Sequence, residues 1–315
     1  MARLDSQGLV DARRAESEMT VANFRKIVWA HYKKCGRHDL PWRPPTLKLR
    51  RGKENEFVYK ILVSEVMLQQ TQVDRVIPFY KAFIKKFPTA KKLAAAPLSE
   101  VLKCWQGLGY NRRAKLLREA AQQLVRTPLS GARVTLAQKL EELPGVGPYT
   151  ARAVAAFAFN QDVVVIETNI RTAVIHHFFN KKRNTIIYDS VSDAQIQEIL
   201  MKALPKGKSL LRQGYEGRAR EWYSALMDYG AYLKRSGISH NAKSKTYAKQ
   251  SKFTGSLREA RGAILRALAS KKKYQGEALL GVLGVGRRIQ IADALGALLS
   301  EGLITKHGRN YALAD

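Results

Sequence analysis

Cysteine is nearly absent from this chain: 315 residues contain two, Cys35 and Cys104. Two distant thiols cannot complete a four-thiolate metal or cluster site, so neither a metal nor a cofactor is expected. So little cysteine also argues against a disulfide framework and for a reducing compartment, the cytoplasm. Acidic residues are scarce as well. The 26 Asp and Glu face 55 Lys and Arg, a formal net charge of +29. Solubility needs far less charge than that, so a polyanionic partner is expected. Long apolar runs are missing. No stretch of about 20 residues could span a bilayer, and MARLDSQGLVDARRAESEMT is too polar for a signal peptide. No membrane partner is expected. Hydrophobic residues nonetheless make up 45%, which excludes a disordered basic tail.

What is present is a succession of short amphipathic segments. Residues 1–19 read as disordered or loosely helical. The spacing of Phe24, Ile27, Val28 and Tyr32 predicts a helix over 21–35. LPWRPPTLKLRRGKENE then reads as a loop. Helices are predicted near 57–70, 73–86, 98–106, 111–125, 135–142, 149–159, 168–179, 191–203 and 217–235, with VVVI (163–166) as a short extended candidate. Cys104, in VLKCW, reads as core. Residues 236–256 are polar and basic and read as a linker. At 257–315, apolar sets around Leu257–Leu268, Ala278–Leu283 and Ile289–Leu299 mark three helices. LITK and NYAL then flank a turn at His307-Gly308-Arg309. That order is the winged-helix pattern, with Arg287, Arg288 and Arg309 facing a polyanion. A second reading takes LGVGRR (283–288) as an echo of LPGVGPY (143–149); the closing hairpin favours the winged helix.

Four motifs carry chemistry. In LEELPGVGPYTARAVAAFAF (140–159), Gly145 and Gly147 permit close backbone approach, and the next helix start offers free N–H groups to a phosphate. In VVVIETNIRTAVIHHFF, Glu167 lies about 20 residues past that turn; it is either a helix cap or a functional carboxylate. In FVYKILVSEVMLQQTQVDRVIPFY, Glu65 sits among Ile61, Leu62, Val66, Met67 and Leu68. If buried, its pKa should rise toward the range of a general acid; a surface-facing Glu is the alternative. In WQGLGYNRRAKLLREAA, Tyr110 follows Gly107 and Gly109 and precedes Arg112, Arg113, Lys115 and Arg118, a set suited to backbone contact and base stacking.

With LPWR (40–43) and ALMDYGA (225–231) added, these segments resemble the MutY-type adenine DNA glycosylases of the helix-hairpin-helix superfamily, in order and spacing, over roughly residues 20–235. The resemblance implies a mostly α fold with a two-domain glycosylase core (20–235), extended here by the linker and a winged-helix-like domain (257–315). It implies a base flipped into a pocket of double-stranded DNA carrying a mismatch or damaged base, by an enzyme expected to be monomeric and nucleoid-associated. Glu65 matches the general acid, and Tyr149 and Asn169 match assisting pocket residues. Gln70 and Tyr110 lie in segments that fill the gap in the duplex. The family's essential aspartate falls on Glu167, and its four cluster cysteines are missing. A lyase lysine of related enzymes falls on Tyr149, which implies hydrolysis by water without strand cleavage. The expected substrate is adenine opposite guanine or 8-oxoguanine. The alternatives are uracil or thymine excision, or a DNA-structure binder that has lost catalysis.

Two cysteines per chain carry a direct consequence. Purified protein should lack the visible absorption of thiolate-ligated iron. Stoichiometric iron by elemental analysis would overturn this.

Overall fold

The computed structural model describes residues 19–43, 54–127, 136–180, 190–205, 219–243, 252–270, 274–282 and 284–315. The expectation for the first 18 residues, and that for 244–251 of the linker, lie outside them. By internal contact the chain divides into two units, 1–38 with 155–249, and 39–154 with 250–315. Among the described residues no helix is long and apolar enough to cross a membrane.

The first unit holds α1 (Val21–Cys35), the end of α8 (Pro148–Phe159), α9 (Thr168–Phe178), α10 (Asp193–Ala203) and α11 (Ala219–Arg235). Thr20 caps α1 by accepting from the Asn23 N–H at 3.1 Å. The buried face of α1 is Phe24, Val28 and Trp29, packed edge-on or tilted against Phe178, His177 and Trp222. Ile27 and Tyr32, expected on that face, are half-exposed. Trp29 has the larger apolar surface to bury and takes their place. Ser192 opens α10 with a full capping box to Gln195. The VVVI segment forms no strand: 161–167 are irregular, and only Val165 is buried.

In ALMDYGA, Asp228 is buried and accepts from the Arg37 backbone N–H (2.8 Å) and Nε (2.7 Å). Gly230 lets α11 approach α9. A Cβ there would stand 2.0 Å from the Asn169 carbonyl oxygen.

The second unit contains α2 (Glu54–Leu68), α3 (Val73–Lys86), α4 (Ala90–Ala95), α5 (Leu98–Trp105), α6 (Arg112–Arg126), α7 (Leu136–Glu141) and the start of α8. Helix α2 is buried from Phe57 to Met67 except at the half-buried Lys60, so its apolar residues recur without a broad polar stripe. The six-residue α4 was not foreseen. It is too short for a periodic signal, and Thr89 starts it by accepting from the Lys92 N–H. Cys104 is half-buried rather than core.

The same unit ends in α12 (Leu257–Ser270), β1 (Tyr274–Gln275), α13 (Gly276–Leu280), α14 (Arg288–Ser300), β2 (Ile304–His307) and β3 (Asn310–Leu313). The strands form an antiparallel sheet in the order β1-β3-β2, with Tyr274 opposite Tyr311 and Ile304 opposite Leu313. Three helices closed by such a hairpin make the winged-helix-like arrangement. Strand β1 adds an unforeseen third partner. Ile289, one of the apolar residues that mark this helix in the sequence, is 82% exposed; Ile291, Ala294, Leu295 and Leu298 carry the buried face of α14.

Gly230 and Gly296 are both helical glycines with opposite surroundings. Gly230→Ala should lower stability by about 1–3 kcal/mol through overpacking. Gly296→Ala, with nothing within 4 Å, should be neutral or stabilising, since alanine favours helix by up to about 1 kcal/mol. Urea midpoints of the two variants check this; equal shifts would contradict the packing account.

Candidate active site and nucleic-acid interface

Two clusters of the expected site residues form, one in each unit. In the second unit, Glu65 lies on α2 with 6% of its surface exposed. The Tyr149 hydroxyl, in the first turn of α8, donates to Glu65 Oε2 at 3.2 Å. Just past the end of α2, Gln69 Nε2 donates to Thr150 Oγ1 at 3.3 Å. The end of α2 and the start of α8 are thus joined by polar contacts in an otherwise apolar packing. A carboxyl there has a partner and little water, the setting of a group kept for chemistry.

In the first unit, Glu167 is the N-cap of α9. Its Oε1 accepts from the N–H groups of Asn169 (2.7 Å) and Ile170 (2.9 Å). Its Oε2 accepts from Thr168 Oγ1 at 3.1 Å, and Lys234 Nζ donates to that hydroxyl at 3.0 Å. Burial lowers the Lys234 pKa, and the Glu167 charge opposes the shift. Glu is not a favoured cap; the shorter Asp, Asn and Ser are. The extra methylene lets this side chain fold back on its own helix start, where the dipole favours an anion. The cap reading of Glu167 is therefore a fact of the geometry. It leaves Oε2 at the hydroxyl side, where Thr168 and Lys234 converge.

The two turns expected at the duplex share one residue. Gln70 and Tyr110 both adopt left-handed backbone, at φ 53° and 48°, a conformation that side chains seldom take. Arg113, expected at the DNA surface, is turned inward with 9% exposure. Its guanidinium donates to the carbonyls of Val66, Met67 and Gln69 at the end of α2, and of Leu108, Gly109 and Tyr110 in the next turn. All its hydrogens serve the fold, so it is no phosphate contact. Burial pushes its pKa down to about 10, opposed by Tyr110, and it remains a cation at neutral pH. Arg112, next to it, is exposed.

Gly145 has φ 75°, and a Cβ on it would meet Leu116 of α6 at 2.8 Å. Gly147 is exposed with nothing within 4 Å of a Cβ, so the backbone before α8 is open to an external group. Toward the C-terminus, Arg288 and Arg309 are exposed. Arg287, expected to face a polyanion, is turned inward as well. It pairs with Glu259 at 2.8 Å and with Gln290 at 2.7 Å, tying α14 to α12 instead of facing outward.

Residues 63–205 match the HhH-GPD superfamily of base excision DNA repair proteins. The chain is 33% identical over 313 residues to the adenine DNA glycosylase of Mycolicibacterium smegmatis, covering 94% of this chain and 97% of that protein. It belongs to the adenine DNA glycosylase family of the HhH-GPD superfamily. The Mycobacterium tuberculosis adenine DNA glycosylase is 31% identical over 287 residues, covering 85% and 86%. A solved thermostable thymine-DNA glycosylase shares the fold, with a TM-score of 0.50 and 24% identity over 67% of this chain and 86% of that one.

Cys35 is exposed on α1 and Cys104 is half-buried on α5. A four-thiolate cluster does not fit a chain with these two cysteines, and no step depends on one. Several residues that organise the site carried no sequence signal. Thr150 and Gln69 are ordinary polar residues until the helices meet. Lys234 lies 67 positions from Glu167. Arg258, whose Nη1 donates to the Tyr110 hydroxyl at 2.9 Å, sits in the unremarkable run SLREARGA.

Proposed function

We propose that the protein hydrolyses the N-glycosidic bond of adenine mispaired with guanine or 8-oxoguanine in duplex DNA, without strand cleavage. The observation that carries this reading is the buried Glu65 held by the Tyr149 hydroxyl, within a chain related along its length to adenine DNA glycosylases. Glu65 gives its proton to the departing adenine, which makes the base a better leaving group. The bond to C1′ breaks with its electrons going to the base, and the sugar becomes oxocarbenium-like. Glu167 stabilises that cation as an anion fixed at a helix start. Water adds at C1′ and loses a proton. Tyr149 stands at the lyase-lysine position and supplies no amine, which supports hydrolysis alone. Asn169 assists in the pocket. Gln70 and Tyr110 fill the gap left by the flipped base, least costly at a mismatch. The open backbone at Gly147, next to the tight turn at Gly145, supplies phosphate contacts together with Arg112, Arg288 and Arg309, consistent with the net charge of +29.

A second reading, recognition without chemistry, draws on one observation. Glu167 spends Oε1 on its own helix, as a mere cap would. Single-turnover assays on duplexes each bearing one mismatch or lesion, with alkali to reveal abasic sites, separate the two. Glu65→Gln should reduce adenine release by on the order of 10²-fold or more, with duplex affinity kept. Glu167→Gln should do the same, and Glu167→Asp should lose activity if the pocket is built for the longer arm. Wild-type rates in Glu65→Gln would remove it from the mechanism. A faster Glu167→Asp enzyme would mark recognition as the main task.

A further inference from the structure

Tyr110 is held from the C-terminal domain as well as from its own turn. Two guanidinium groups stand over its ring, Arg113 at 5.4 Å and Arg258 at 5.3 Å from the centroid. Arg258 also donates from Nη1 to the tyrosine hydroxyl at 2.9 Å. Arg258 is the second residue of α12, and that helix is fixed to α6, the helix Tyr110 precedes. Arg261 forms a two-pronged pair with Glu301, and Lys115 of α6 donates to the Glu301 carbonyl at 2.6 Å. A cavity of about 320 Å³ borders the ring, lined by Tyr110, Asn111, Arg112, Leu116, Leu257 and Arg258. The ring therefore has room to move and is kept in place by a bond to its tip.

We propose that Arg258 is a positioning residue for Tyr110, by which the C-terminal domain presets the aromatic side chain that enters the duplex beside a mismatch. This rests on the reading of Tyr110 as the gap-filling residue. A ring free to change rotamer would lose that freedom on insertion. Arg258 removes that freedom beforehand: its planar fork binds the hydroxyl while its cationic face covers the ring. The C-terminal domain then contributes mismatch selection through the glycosylase core, beyond the phosphates it neutralises itself. A plain phosphate contact at Arg258 would act differently. It would serve all duplexes alike, and lysine would replace it.

The test is a double-mutant cycle in the full-length chain with Arg258→Ala, Tyr110→Phe and the double variant, alongside Arg258→Lys. Anisotropy gives the affinity ratio between a mismatched and a matched duplex. The fluorescence of 2-aminopurine placed beside the mismatch reports local unstacking. Positioning predicts a roughly tenfold fall in the affinity ratio for Arg258→Ala, a similar fall for Arg258→Lys, and a double variant no worse than Arg258→Ala alone. The 2-aminopurine signal should fall in parallel. Independent, multiplying effects would overturn the proposal. So would an equal loss on both duplexes with a salt slope lower by about one and rescue by lysine. Melting curves that match wild type exclude misfolding. Neither readout involves base release, so a wild-type chain without glycosylase activity would sink the catalytic reading and leave this one to its own result.

Discussion

A single buried guanidinium organises the two turns that the proposed function sets at the duplex. The last turn of α2 leaves carbonyls without helical N–H partners, and the turn before α6 does the same. Arg113 answers both, donating to six carbonyls from two separate segments, 66–69 and 108–110. Taking a cation out of water is costly unless every donor is matched, and here the fork is matched on each side. Gln70 and Tyr110 follow directly from the carbonyls it holds, and both adopt left-handed backbone. Such strain persists only where the surroundings over-determine it.

The same economy governs the carboxylates. Glu65 lies in the apolar body of α2 and is reached by the Tyr149 hydroxyl. Glu167 lies at the opening of α9, where backbone N–H groups fix its orientation. The first is shielded from water and the second is anchored by backbone N–H groups at a helix start. Gly230 matters to the second cluster because the Asn169 carbonyl lies against it. A motif that looks remote from chemistry in the sequence thus lets α11 pack against the first turn of α9.

Helices with strong periodicity were legible in the sequence: α3, α5, α6 and α8 start and end within a residue or so of expectation. Glu65 was legible because a carboxylate inside an apolar run must be satisfied somehow. The winged hairpin was legible from its turn at Gly308. What stayed hidden depended on tertiary partners. Arg113 and Arg112 are indistinguishable as letters, yet one is buried and the other exposed. Arg287 reads as a surface cation until Glu259 is found beside it. Ile289 fits an apolar pattern but projects outward, and α4 and β1 are too short to show a period. In a chain this basic, the cations that serve the fold look like the ones left for DNA.

Arg113 is therefore the sharpest point of the account. Hydrogen exchange by mass spectrometry on Arg113→Lys, compared with wild type, tests it directly, because an ammonium cannot reproduce the planar fork. Faster exchange at residues 67–71 and 108–111 together, with α9 and α11 unchanged and mismatch binding reduced, is the predicted result. Unchanged exchange in both turns, with only a shallower salt dependence of DNA binding, would mean that Arg113 is a surface phosphate contact and would contradict the account.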